Sequence, residues 1–382
     1  MKRLMMGVLI PLIVLAGGRA FAGGPLISGV LDSRADFAAG AGEGRDFSYG
    51  LEEYANIRAR IDLRDRASFH GALNLIAASG TFASSPVSGA FAPGENYTAA
   101  MELERLYFRI KGEYLDAEAG LLRLGFGYGR VWGSSDFLNP RNPLFPEARK
   151  RGVLGAVLSA YPGDTVRFLG FGAAPKNPFN GGGSGAIFGL SGDRHWDRLS
   201  LQALYAFETP RGESFRGVHR GGLSIKADVE LGLVGDLLYT WDPASAEGVD
   251  GLSAGAGFDY SFHGGDFYVL AEYLFNGASS ATAGSAENTA GFSRRHYLHG
   301  MILYHWNDYT RIGFACTAGL EDLSLSPVLT VEHELFQGFL LSLSGRIPLD
   351  RDVFARNGEY GELGPQCTGT RALISALARL RF

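Results

Sequence analysis

The chain has 382 residues, 46% hydrophobic, 20% charged and 12% aromatic, and its 55 glycines are about one residue in seven, twice the usual share. That balance excludes a disordered chain and an ordinary helical enzyme, two cysteines exclude a disulfide scaffold or a cysteine-ligated zinc module, and a net charge of −5 gives no general pull toward nucleic acid. Length alone allows two or three soluble domains or one closed barrel, so periodicity decides.

Residues 1–22 read as an export signal. Lys2 and Arg3 are its positive start, Leu4 to Leu15 its apolar stretch, and Ala20-Phe21-Ala22 its cleavage motif, with cut expected before Gly23. No later stretch approaches the 18 or so apolar residues of a helical span. Residues 23–382 are therefore expected to form one unit.

That unit alternates with period two. From Tyr54 to Arg64, Ala55, Ile57, Ala59, Ile61 and Leu63 share one face, with Tyr54, Asn56, Arg58, Arg60, Asp62 and Arg64 on the other. The pattern returns from Leu252 to Phe262 and from Phe339 to Ile347. Many such strands look nearer ten residues than the five or six of a soluble sandwich, long enough to cross a bilayer at a tilt.

Short links are expected at Asp65-Arg66, Gly112-Glu113, Pro162 to Asp164, Gly192-Asp193, Asp228-Val229, His263 to Asp266, Asn307-Asp308 and Glu334 to Gly338. Longer ones alternate with them, at 36–48, 79–99, 131–150, 174–184, 208–216, 242–249, 277–293, 318–322 and 348–368. This is the rhythm of an all-β, transmembrane, antiparallel up-and-down barrel of about eighteen strands (sixteen to eighteen), with short periplasmic turns and long extracellular loops.

The final segment is apolar at every second position back from Phe382: Leu380, Ala378, Ala376, Ile374 and Ala372. A terminal Phe on such a strand resembles the assembly signal of Gram-negative outer-membrane barrels. That resemblance implies recognition by the barrel-assembly machinery and a place among outer-membrane lipid and lipopolysaccharide.

A barrel of this size leaves an aqueous path unless something fills it. The third loop, 131–150, holds Pro140, Pro143 and Pro146, which cannot join a ladder, and the apolar Phe137, Leu138, Leu144 and Phe145. Folding it inward as a constriction would bury those side chains. The preceding stretch, Arg123 to Arg130, reads as a strand with Gly125, Gly127 and Gly129 on one face, making room for a loop against it.

The block Glu104-Arg-Leu-Tyr107, Gly120-Leu-Leu-Arg123, Tyr128-Gly-Arg-Val-Trp-Gly133 and Asp136-Phe-Leu-Asn-Pro140 resembles a stretch in alginate-export-type and related porin-like outer-membrane barrels. The later Asp259-Tyr260-Ser-Phe and Ala271-Glu-Tyr273 also suit such barrels, which usually carry a Gln beside the Arg that is absent here.

Arg58, Arg60, Arg64, Arg105, Arg109, Arg123, Arg346, Arg371, Arg379 and Arg381 fall on lumen-side positions of strands that closure makes neighbours. Asp236, Asp259 and Glu272 fall inward on the far side, and Asp136 and Arg141 lie on the third loop. A basic wall facing an acidic one would orient polar solutes and favour anions near the arginines, unless the charges pair among themselves.

No catalytic or metal site is expected. His296 projects oppositely to His299 and His305, and no acyl-transfer elbow, zinc-hydrolase helix or phosphate loop occurs. Cys316 and Cys367 fall near the external rim, where a disulfide could form, and Trp132, Trp196, Trp241 and Trp306 are candidates for an interfacial belt. The reading is a passive, cofactor-free, porin-like channel for small polar or anionic solutes, in the outer membrane of a diderm bacterium and without nucleic acid as partner. A structural or surface-binding barrel with a blocked lumen, and a hydrophobic-ligand transporter, are the alternatives.

Overall fold

The computed structural model describes residues 25–40, 47–63, 66–82, 90–93, 96–139, 152–174, 185–210, 217–241, 248–277, 292–350, 362–364, 368 and 370–382. Residues 1–22, expected as an export signal, and the remainder of the third loop lie outside them. In chain order the strands are β1 (Leu26–Gly40), β2 (Phe47–Leu63), β3 (Ala67–Gly80), β4 (Ala90–Pro93), β5 (Tyr97–Lys111), β6 (Leu115–Leu122), β7 (Val153–Gly163), β8 (Val166–Ala173), β9 (Ile187–His195) and β10 (Leu199–Glu208). They continue with β11 (Val218–Asp228), β12 (Gly232–Trp241), β13 (Leu252–Phe262), β14 (Phe267–Asn276), β15 (His296–Asn307), β16 (Thr310–Gly319), β17 (Ser324–Phe336), β18 (Phe339–Arg346) and β19 (Thr370–Arg381).

All nineteen belong to one antiparallel sheet, but β4 sits in a connection beside β5 while β3 and β5 pair directly, so eighteen strands build the wall. β1 pairs with both β2 and β19, from Val30 opposite Arg381 to Ala39 opposite Ala372, which closes the cylinder. An open edge in lipid would leave a row of backbone groups unpaired at several kcal/mol each; closure removes it.

The two faces separate as alternation requires. Ala55 and Ile57 of β2 point outward and Tyr54, Asn56 and Arg58 inward, and the outer surface displays Leu190, Leu223, Phe314 and Leu343, more than 45% exposed each. Water would not tolerate this continuous apolar surface, whereas acyl chains match it. Short turns at 112–114, 164–165, 196–198, 229–231, 263–266, 308–309 and 337–338 alternate with longer connections at the opposite end. The turn at 263–266 shows why glycine is needed there: Gly264 and Gly265 have φ of 70° and 112°.

Two local expectations are corrected. Gly192-Asp193 is no turn but part of β9, and the chain reverses at 196–198, where the Trp196 N–H donates to the Leu199 carbonyl at 2.7 Å. Gly192 gives room to the ring of Phe168, which a Cβ would meet at 3.4 Å, and Asp193 faces inward to accept from Arg167 and Gln202. The stretch from Arg123 to Arg130 is not a strand either: β6 stops at Leu122 and the chain leaves the wall.

Candidate pore site

Beyond β6 the backbone enters the lumen and is gripped by the opposite wall. Six successive N–H groups donate to side chains on the inward faces of β10, β12 and β14. Gly127 donates to Gln202 Oε1 at 2.7 Å, and Tyr128 and Gly129 donate to the two oxygens of Asp236 at 2.9 and 2.7 Å. Arg130 and Val131 reach Glu272 Oε2 at 2.8 and 3.1 Å, and Trp132 reaches Oε1 at 2.9 Å. Donors that a wall strand would spend on a ladder are spent here on carboxylates. The glycines are the segment itself, not space for another loop: Gly127 has a φ of 83°, and a Cβ on Gly129 would stand 2.7 Å from Asp236 Oδ2.

Side chains complete the attachment. The Arg130 guanidinium pairs with Asp259 at 2.8 Å and donates to the Tyr268 hydroxyl at 2.8 Å. Phe126 stacks on Phe137 with centroids 5.7 Å apart, and both pack with Leu138 against an apolar patch of the inner wall that includes Val157, Phe171 and Leu204. Asp136 is buried and accepts the Asn139 N–H at 3.2 Å, while the Asn139 amide donates to the Leu124 carbonyl at 2.6 Å. Asp136 thus shapes the segment's turn. Asp236, Asp259 and Glu272, expected as an acidic wall facing open lumen, instead hold a crossing segment whose N–H groups and Arg130 cover them.

Trp132 is fully buried, which removes it from the interfacial belt; Trp196, Trp241 and Trp306 are exposed at strand ends as that role requires. Its ring packs 5.1 Å from Phe292 and 5.8 Å from Tyr297. Above it, the connection after β18 is clasped to its neighbours. Glu362 accepts the Ser293 N–H at 2.6 Å and the Tyr297 hydroxyl, its own N–H donates to Asp322 at 2.8 Å, and Leu363 N–H donates to Ser324 Oγ at 3.1 Å. Burial of Asp322 opposes its charge, but bonds from Glu362 N–H and Ser324, with Arg294 nearby, outweigh that and hold its carboxyl below the usual range.

The arginines do face inward, and carboxylates face them. Arg379 forks onto Asp32 at 2.8 and 2.9 Å, Arg60 meets Asp62 at 2.9 Å, and Arg109 meets Asp116 at 2.8 Å and Glu118 at 3.2 Å. Arg105 and Arg123 share the buried Glu104 at 3.2 and 2.9 Å. Arg58 donates to Asn56 at 2.6 Å, and Arg346 lies near the Arg34 and Asp36 pair. Arg64, Arg141 and Cys367 lie outside the described residues; Cys316 is on β16.

Glu104 was missed in the sequence for a definite reason. A β-bulge opposite Ala72 and Leu73 turns both Glu104 and Arg105 inward. The slip shows in the residue order, since outward residues run Met101, Leu103, then Leu106, Phe108 and Ile110. Against the seam of β1, β2 and β19 a recess of about 480 Å³ stays open, lined by Asp32, Arg34, Tyr54, Arg58, Arg379 and Arg381 among others.

No protein-family description and no curated protein matches the chain by sequence. Solved structures do. Acinetobacter baumannii OccAB4 superposes with a TM-score of 0.58 at 10% identity over 94% of this chain and 98% of its own. Wzi, an outer-membrane protein involved in group 1 capsule assembly in Escherichia coli and a carbohydrate-binding β-barrel, gives 0.57 at 12% identity over 93% and 84%. Pseudomonas aeruginosa OccK8 (OprE) gives 0.56 at 9% over 95% and 99%. The chain therefore has the eighteen-strand, porin-like fold of an outer-membrane β-barrel.

Proposed function

We propose that the protein is a passive, porin-like channel of the outer membrane of a diderm bacterium, exported on residues 1–22 and inserted through its terminal strand ending in Phe382. The observation that carries this reading is the division of the lumen. The crossing segment is drawn onto the β10–β14 side by Asp236 and Glu272, and the charged recess along β1, β2 and β19 stays open. A lumen lined by alternating arginines and carboxylates stays hydrated and favours small polar solutes over apolar ones. The arginines exposed there give anions their preferred contacts, and the described start of the third loop, 131–139, narrows the lumen. Nothing in this passage needs a cofactor, a catalytic residue or an energy source.

A second reading is a surface-binding barrel with its lumen closed. It is favoured by the clasp of Glu362, Asp322 and Tyr297 over Trp132, and by the likeness to Wzi. Planar-bilayer recording separates the two: a channel gives discrete conductance steps that scale with salt, and a closed barrel gives none. A liposome-swelling series over sugars, amino acids and organic anions then ranks solutes.

A further inference from the structure

Two places on the outer rim of the wall carry the same arrangement of three side chains. On β10 and β11, Phe207 stands directly opposite His219, and Tyr205 lies diagonally below it. On β14 and β15, Phe275 stands directly opposite His296, and Tyr273 takes the diagonal place. In each the tyrosine hydroxyl meets histidine Nδ1, at 2.7 Å for Tyr205 and His219 and 2.6 Å for Tyr273 and His296. The phenylalanine ring backs the imidazole at 4.9 and 5.3 Å, and Trp241 adds a further face 5.5 Å from His219. All of these side chains lie on the lipid side, at the long-loop ends of their strands.

This geometry selects a partner. A tyrosine hydroxyl that donates to Nδ1 leaves the proton on Nε2, and a protonated ring is a donor there as well. Either form directs an N–H away from the tyrosine, at the depth where headgroups replace acyl chains. Beside His219 the exposed rings of Tyr205, at 50%, and Trp241, at 55%, are flat apolar faces suited to a sugar ring, and beside His296 the half-buried Tyr273 and Phe275 offer smaller ones. A donor flanked by such faces fits a phosphorylated sugar better than a plain phosphodiester. Interfacial anchoring alone uses Trp and Tyr and has no need of a histidine fixed by a tyrosine twice over.

We propose that the Tyr205–Phe207–His219 and Tyr273–Phe275–His296 clusters each dock a phosphorylated glucosamine headgroup of outer-leaflet lipopolysaccharide. Lying four strands apart, about 19 Å along the wall, they would hold two separate lipid molecules. This inference rests on the outer-membrane reading above.

The test is native mass spectrometry of the full chain in detergent with purified lipid A, its dephosphorylated form, or phosphatidylglycerol, alongside bilayer conductance of the same samples. Expected are two retained lipid A molecules, with retention falling about tenfold in the double variant His219→Phe and His296→Phe, the order expected for losing a hydrogen bond to a charged group. Conductance should not change. Tyr205→Phe with Tyr273→Phe should weaken retention by less, because the donor remains but its orientation is freed. The proposal is overturned if lipid A is not retained, if the histidine variants retain it as wild type does, or if phosphatidylglycerol or the dephosphorylated form is held equally well. Loss of conductance steps in wild type would sink the channel reading and leave the lipid result standing.

Discussion

Glu272 and Trp132 hold each other at two points: the Glu272 carboxylate accepts the Trp132 backbone N–H at 2.9 Å, and the Trp132 indole N–H donates to the Glu272 carbonyl at 3.1 Å. One residue of the far wall thus fixes both the path of the crossing segment and the ring that plugs the floor of the loop clasp. With Arg130 and Val131 also donating to it, the buried Glu272 satisfies three consecutive backbone donors.

Glu272→Leu would strand those three donors. A buried donor left unpaired costs about 1–3 kcal/mol, and of the three only the Trp132 N–H is fully buried, so the expected loss is about 2–3 kcal/mol in urea unfolding of the vesicle-embedded barrel. The channel should also become noisier and wider as the segment lifts. An unchanged conductance trace together with unchanged stability would show that the segment is held by its apolar side alone.

Gly129→Ala tests the same contact from the segment's side. The added methyl would stand 2.7 Å from Asp236 Oδ2 and 3.1 Å from Glu272 Oε1, so the two carboxylates would have to part. Gly127→Ala adds backbone strain at a φ of 83° to a clash of 2.8 Å with Asp236. Both should lower stability by about 1–3 kcal/mol, whereas Gly163→Ala, with open space around its Cβ, should leave it unchanged. Equal effects at all three positions would rule out the close approach as the cause.

Ion selectivity should respond to the seam pair. Arg379→Gln leaves Asp32 facing the recess without its bidentate partner and should shift the reversal potential toward cations; Asp32→Asn should shift it toward anions. Both shifts should shrink in high salt as the charges are screened. Reversal potentials that ignore both changes would mean that ions take another path through the barrel.

Much of this architecture can be read from residue order, because a barrel in lipid leaves little freedom. Outward positions such as Ile57 and Phe258 must be apolar, and reversals such as His263 to Asp266 must be short and polar, so alternation and punctuation reveal the wall. The inward direction of Arg58, Asp236 and Glu272 follows from the same parity. What parity cannot give is which inward groups meet across the lumen. Asp236 and Glu272 read as a bare acidic wall because their partners are backbone N–H groups more than a hundred residues away. The Gly-rich stretch before Trp132 alternates as a strand does, although its glycines serve close approach to carboxylates. Gly192-Asp193 imitates a turn because glycine beside aspartate also suits a crowded lipid face behind a buried carboxylate that pairs with Arg167.

Acid should loosen the loop clasp before it affects the wall. The Asp322 carboxyl is held below its usual range when folded, so its contribution is fully present above the unfolded carboxylate pKa and is lost as pH falls through the lower folded value. Above that window, amides from Glu362 to Leu363 should be protected from hydrogen exchange, since both N–H groups are bonded within the clasp. Below it, Asp322 is protonated, its bonds from the Glu362 N–H and Arg294 lose the charge that strengthens them, and protection there should fall while that of β17 persists through its ladder. Asp322→Asn should show the low protection already at neutral pH and remove the acid step, because the amide neither carries the charge that Arg294 stabilises nor titrates. If the variant instead kept wild-type protection and its pH dependence, the clasp would have to depend on Glu362 and Tyr297 and not on Asp322.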